Sequence, residues 1–202
     1  MGGDKIKYMS LKFILAVLSS IIAVSCFIPY IIDIFKGTTK PHSYTWLIWT
    51  ILQTIGVVAM LKGGAGLGIA SLSIGAVLCA FVFVLSIFYG THNIKLFDKV
   101  CLVGAFIAIG SYFFFRDPLL SVLIVITTDL VGFLPTLRKT YEEPNTETVS
   151  TYLLSSLSSF FALGALSIFT FTTSIYLISL VITNLICALV ILYRRKVLNR
   201  II

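Results

Sequence analysis

Seven apolar runs, near residues 12–35, 43–61, 66–89, 98–115, 118–139, 148–168 and 174–193, take up nearly the whole chain. Each has about the length, roughly 20 residues, that an α-helix needs to cross the hydrocarbon core of a bilayer, where no water satisfies a free backbone group. Only short polar connectors such as 36–41, 91–93 and 141–145 separate them, and no stretch is left for a soluble domain. Composition agrees. Hydrophobic residues make up 58% and charged residues 11%, and the mean hydropathy of +1.06 lies outside the balance of a water-soluble domain. The pattern predicts an all-α integral membrane protein with seven transmembrane helices.

Some local features invite other readings. Lys5, Lys7 and Lys12 before the first run, with Ala23-Val24-Ser25-Cys26 inside it, imitate a lipoprotein signal. The run continues past Cys26 to Ile34, longer than the apolar core of a signal peptide, so it is read as the first helix. Gly63-Gly64-Ala65-Gly66-Leu67-Gly68 lacks the Lys-Ser/Thr ending of a phosphate-binding loop and is read as a flexible turn. Cys26, Cys79, Cys101 and Cys187 have no metal-ligand spacing and are read as small apolar packing residues. His42 and His92 fall in connectors and are read as solvated loop residues. With no nucleophile and base paired at membrane depth, the expectation is a non-enzyme without metal or cofactor.

Seven spans put the termini on opposite sides. The N-terminal side carries five basic residues, Lys5, Lys7, Lys12, Lys62 and Arg116; the other carries ten, Lys36, Lys40, Lys95, Lys99, Arg138, Lys139, Arg194, Arg195, Lys196 and Arg200. The positive-inside rule then places the N-terminus outside and the C-terminus in the cytoplasm, with the plasma membrane as the expected location. Topology and anionic lipid account for the net charge of +7, and no nucleic-acid partner is needed.

Two segments repeat one design. Phe27-Ile28-Pro29-Tyr30-Ile31, with Lys36 following, matches Phe133-Leu134-Pro135-Thr136-Leu137, with Arg138-Lys139 following. Each puts proline late in a span, where it removes a helix hydrogen bond and permits bending. A second proline opens the next span in both cases, at Pro41-His42-Ser43 and Pro144-Asn145-Thr146. The match places helices 1–3 and 5–7 in the same orientation with helix 4 between them. It divides the chain into a first three-helix repeat (1–90), a linker helix (91–117) and a second three-helix repeat with a short basic tail (118–202).

These Pro-centred segments resemble the PQ-loop superfamily, which includes the SWEET sugar transporters and cystinosin-type amino-acid exporters; parallel repeats are a feature of SWEETs. Where that family often has Pro-Gln, this chain has Pro29-Tyr30 and Pro135-Thr136. The resemblance implies an N-terminus outside the cytosol, proline loops on the cytosolic side, and an alternating-access carrier. It also gives Asp129-Leu130-Val131-Gly132 a meaning, since the sequence is similar to the Asp-x-x-Gly of cystinosin-type members, whose aspartate is implicated in proton coupling.

Asp129 stands out independently. It lies near the middle of its span, and a carboxylate at that depth costs about 2.5–3.5 kcal/mol even on permissive scales, so function is the default reading. The alternative is that it hydrogen-bonds Thr127, Thr128 or a hydroxyl on another helix. Gln53 and Asn184 fall at comparable depth and are candidates for substrate binding, with helix packing as the other reading. Trp49, one turn inside an interfacial aromatic belt, aligns with Tyr152 across the repeat, and the two are candidates for a gate or stacking wall. Ser155, Ser156, Ser158 and Ser159 crowd helix 6 as packing residues, and Pro29 and Pro135 are candidate hinges.

The function expected is transport of a small polar solute, a sugar, amino acid or vitamin-like molecule, with proton coupling through Asp129. The second reading is a receptor or sorting protein of the kind the KDEL receptors exemplify, binding a peptide-like solute without moving it. A homo-oligomer is compatible with either.

Overall fold

A computed structural model describes residues 2–112, 114 and 118–198. Seven α-helices follow one another: α1 (Gly2–Phe35), α2 (Ser43–Lys62), α3 (Ala70–Tyr89), α4 (Leu96–Tyr112), α5 (Pro118–Glu142), α6 (Val149–Ala165) and α7 (Phe171–Leu198). Short 3-10 turns at Gly66–Ile69 and Pro144–Thr146 precede α3 and α6, and there are no strands among the described residues. Most of the described part of each expected apolar run falls on one of these helices. Arg116 and Arg200, counted above among the sided charges, lie outside the described residues.

Among the described residues, four helical stretches are long and apolar enough to cross a membrane: Met9–Phe35, Ser43–Lys62, Gly66–Tyr89 and Phe171–Leu198. α6 is apolar but has only 17 residues, about 25 Å at 1.5 Å per residue. The outer surface fits a membrane-embedded protein, because large apolar side chains such as Phe13, Ile14, Val77 and Phe88 point away from the core. Contiguous apolar surface of this kind is what lipid, and not water, solvates.

Hydropathy marked the apolar part of each helix better than its ends. α1 starts ten residues before its apolar run, because the polar residues ahead of the run still continue the backbone ladder. α6 stops at Ala165, short of the expected 168, where Leu166 turns extended (ψ 128°) and the Ser167 N–H donates to Ala65 O at 3.0 Å. Lys12 Nζ donates to the carbonyls of Leu166 (2.6 Å) and Ser167 (3.1 Å), which have no partner further along the helix.

The glycine run forms a turn that passes into the 3-10 segment Gly66–Ile69. Gly64 and Gly66 adopt φ of +79° and +62°, a region that disfavours a side chain, and a Cβ on Gly66 would lie 2.0 Å from Ser167 Oγ. α1 and α5 both continue through their internal prolines, to Phe35 and Glu142.

α1 packs against α3 and α6, α2 against α3 and α5, α7 against α5 and α6, and α4 against α5. Two buried apolar clusters hold these contacts. One, around Tyr30, Trp46, Val82 and Ile191, lies toward the end of the bundle that carries the proline loops; the other, around Leu52, Leu72, Tyr176 and Leu177, lies toward the opposite end. Cys26, Cys79 and Cys187 sit in the first as buried thiols.

Small residues set the closest helix approaches. A Cβ on Gly132 of α5 would lie 2.6 Å from Ile48 Cγ2 of α2, and one on Gly56 of α2 would lie 2.7 Å from the Tyr176 ring of α7. Gly132→Val is therefore expected to lower stability by about 1–3 kcal/mol through overpacking. Thermal unfolding in detergent checks this. Adding Ile48→Ala should recover part of the loss, and an unchanged midpoint in the double variant would show that the contact is not the cause.

Candidate functional site

Between the two apolar clusters lies a cavity lined by residues of α1, α2, α3, α5, α6 and α7. Measured by where the centre of a water molecule fits, its volume is about 80 Å³. That is room for a handful of waters at roughly 10–15 Å³ each. Asp129, Gln53, Asn184, Trp49 and Tyr152 all line it, although they come from four helices. Pro29 and Pro135 do not.

Asp129 is 2% exposed, and its Oδ1 has no hydrogen-bond partner among the described residues. The hydroxyls expected to satisfy it are committed elsewhere. Thr127 donates to Leu123 O at 2.8 Å and Thr128 to Ile124 O at 2.7 Å, both back along α5. Tyr176 Oη of α7 is also buried and without a hydrogen-bond partner among the described residues. A buried carboxylate left in this state is costly unless a ligand, water or proton completes it.

The other candidates are only partly committed. Gln53 donates from Nε2 to Cys79 Sγ at 3.1 Å, and its Oε1 lies where a Cβ on Gly75 would be, so that glycine lets the amide lie against α3. Asn184 donates from Nδ2 to Leu180 O at 2.8 Å on its own helix. Trp49 makes ring contacts with Trp46 (5.1 Å, 82°) and Phe133 (5.3 Å, 32°), while the Tyr152 hydroxyl donates to Glu147 Oε2 at 2.9 Å. The serines of α6 join helices as well as line the cavity: Ser158 donates to Ser19 O at 2.7 Å and Ser156 to Val181 O at 2.9 Å.

Next to the cavity, at the proline-loop end, is a buried polar network. Lys139 Nζ and Glu147 Oε1 are 2.6 Å apart with side chains 0% and 1% exposed, and Lys139 also donates to the carbonyls of Lys40 and Thr146. Glu147 Oε2 accepts from Tyr30 (3.3 Å) and Tyr152, and Trp46 Nε1 donates to Tyr30 Oη at 3.3 Å. One ion pair thus touches α1, α5, α6 and two connectors. Beside it Asp98 accepts from Arg138 (2.6 and 3.0 Å) and caps α4 through the Lys95 N–H at 2.8 Å. Thr148 donates to Asp33 Oδ2 at 2.8 Å and pairs with Thr39 at 2.7 Å.

His42 departs from the sequence reading here, and Glu147, a residue that reading does not single out, is buried at the centre of this network. His42, read as a solvated loop residue, is 0% exposed, with Nε2 3.3 Å from Asp98 Oδ2 but not aligned for a hydrogen bond. Both connectors fold inward between helix ends, and hydropathy does not distinguish a connector lying on the bundle from one wedged into it. The available signal was the pairing of Lys139 with Glu147 across one short loop. His92, by contrast, is exposed.

Comparison with protein-family models, with curated proteins and with solved structures gives no match for this chain.

Two outcomes test the network. Lys139→Met leaves Glu147 buried without its cation and should cost about 3–5 kcal/mol in unfolding experiments, while adding Glu147→Gln should return much of it. His42 has the opposite sign from a salt-bridged histidine. Burial pushes its pKa below 6.5, Asp98 opposes that, and Lys139 and Arg138 add to it. The folded protein holds His42 neutral while the unfolded chain takes up a proton near 6.5, so stability is present above that pH and lost as pH falls through it. A pH series of melting temperatures should show this loss, and His42→Gln should flatten it.

Proposed function

We propose that this protein is an alternating-access carrier for a small solute, with the cavity around Asp129 as its binding site. The observation that carries the reading is a buried carboxylate without a hydrogen-bond partner on Oδ1, in a cavity bordered at one end by a network that ties helices together. Two parallel three-helix units, α1–α3 and α5–α7, with α4 as linker, would be the moving bodies. The packing pairs support this. α3 contacts both α1 and α2, α7 contacts both α5 and α6, and the two groups meet through α1 with α6 and α2 with α5.

In this reading the Lys139–Glu147 network is the closed gate on the cytoplasmic side. Tyr30 directly follows Pro29, and Lys139 lies one turn after Pro135, so bending at either proline displaces a member of the network. A cavity with room for a few waters also implies that the units part to admit a solute. The charge asymmetry supports an external N-terminus and a cytoplasmic C-terminus. Asp129 would bind solute or proton, while Gln53 and Asn184 each keep one N–H for recognition.

Uptake by liposomes containing the full-length protein tests the proposal, using labelled sugars, amino acids and vitamins with and without a pH gradient. Protein-dependent uptake that falls at least tenfold in Asp129→Asn is the expected result. Binding of a solute that is never transported would favour the receptor reading instead, and uptake indifferent to both the gradient and Asp129→Asn would remove proton coupling.

A further inference from the structure

The hydrogen-bonding capacity left over in the cavity has a sign. Asp129 is the only charged side chain among the described residues that line it. The nearby cations are engaged, Lys139 with Glu147 and Arg138 with Asp98 and Glu142. Several lining hydroxyls have spent their hydrogens on backbone carbonyls: Thr151 on Cys26 O (2.9 Å), Ser158 on Ser19 O (2.7 Å) and Thr183 on Ser179 O (2.9 Å). Gln53 has spent one N–H on Cys79 Sγ and Asn184 one on Leu180 O, so each amide keeps one N–H. What faces the cavity therefore includes a buried carboxylate oxygen without a hydrogen-bond partner among the described residues, and hydroxyl lone pairs. An anion would meet no cation there. The apolar walls include the rings of Phe27, Trp46, Trp49, Phe133 and Tyr152, whose π faces attract a cation.

We propose that the ligand of this cavity is a small organic monocation bearing an ammonium group, which seats against Asp129 between the aromatic walls and competes with a proton for that carboxylate. The transport part of this inference rests on the carrier reading above; the binding part does not. One carboxylate holds either a proton or a cation, so a carrier that moves only when neutralised exchanges one for the other. The remaining titratable groups facing the cavity are neutral thiols and phenols, Cys26 of α1, Cys79 of α3 and Tyr152 of α6, with Tyr176 of α7 close by, and α2 contributes none among the described residues. Cation affinity then rises with pH as Asp129 loses its proton, whereas a neutral solute has no such dependence.

The test compares methylammonium and choline with 3,3-dimethylbutan-1-ol, in which carbon replaces the choline nitrogen. Binding to the detergent-solubilised full chain is read by thermal shift and titration calorimetry at mildly acidic and mildly alkaline pH. The ammonium compounds should stabilise the protein, more so at alkaline pH, and the neutral isostere should not. Trp49→Leu should weaken choline binding by roughly 2- to 30-fold. Asp129→Asn should abolish the preference for choline over its isostere, and Asp129→Glu, which keeps the charge, covers the case in which the asparagine variant does not fold. Equal binding of the isostere, pH-independent binding, or no binding of either amine overturns the inference. Liposome uptake separates the two proposals: an amine that binds but does not move leaves the site and removes the carrier, whereas uptake of a neutral solute unaffected by amines does the reverse.

Discussion

Lys139 and Glu147 face each other at 2.6 Å with almost no access to water, and the proline-loop end of the protein is organised around that contact. Desolvating two charges is expensive, and their attraction offsets the cost only when the remaining donors and acceptors are also satisfied. Here they are. The ammonium group reaches two backbone carbonyls, and the carboxylate receives hydroxyls from Tyr30 on α1 and Tyr152 on α6. The connectors 36–42 and 143–148 supply those partners through Lys40, Thr146 and Glu147.

Measured against that network, Asp129 is the exception. Asp33, Asp98, Glu142 and Glu147 each accept at least one hydrogen bond near the proline-loop end, while Asp129 Oδ1 accepts none at full burial. Folding alone gives no reason to keep a carboxylate there, since an apolar residue of similar size would remove the desolvation cost. The same cavity is lined by five aromatic side chains and, among the described residues, by no other charged group. The proposed cationic partner would answer both features.

The network and the cavity share residues. Tyr152 lines the cavity and donates to Glu147; Trp46 lines it and donates to Tyr30. The ion pair is therefore linked to the cavity through two aromatic side chains, without any longer chain of contacts. The prolines border this shared layer: Pro135 is buried and Pro29 is half-buried.

Helix number and approximate position were legible in the chain, because an apolar run of about 20 residues has one backbone solution in lipid. Asp129, Gln53, Asn184, Trp49 and Tyr152 were also legible as unusual residues, since depth along a span can be counted from its ends. Their partners were not. That the hydroxyls beside Asp129 would bond their own helix, that Trp49 would meet Phe133 rather than Tyr152, and that His42 and Glu147 would be buried depend on how helices far apart in sequence rotate and pack. Hydropathy reports the medium around a segment. Only tertiary packing decides which face of each helix turns inward, and so which polar atoms find partners and which do not.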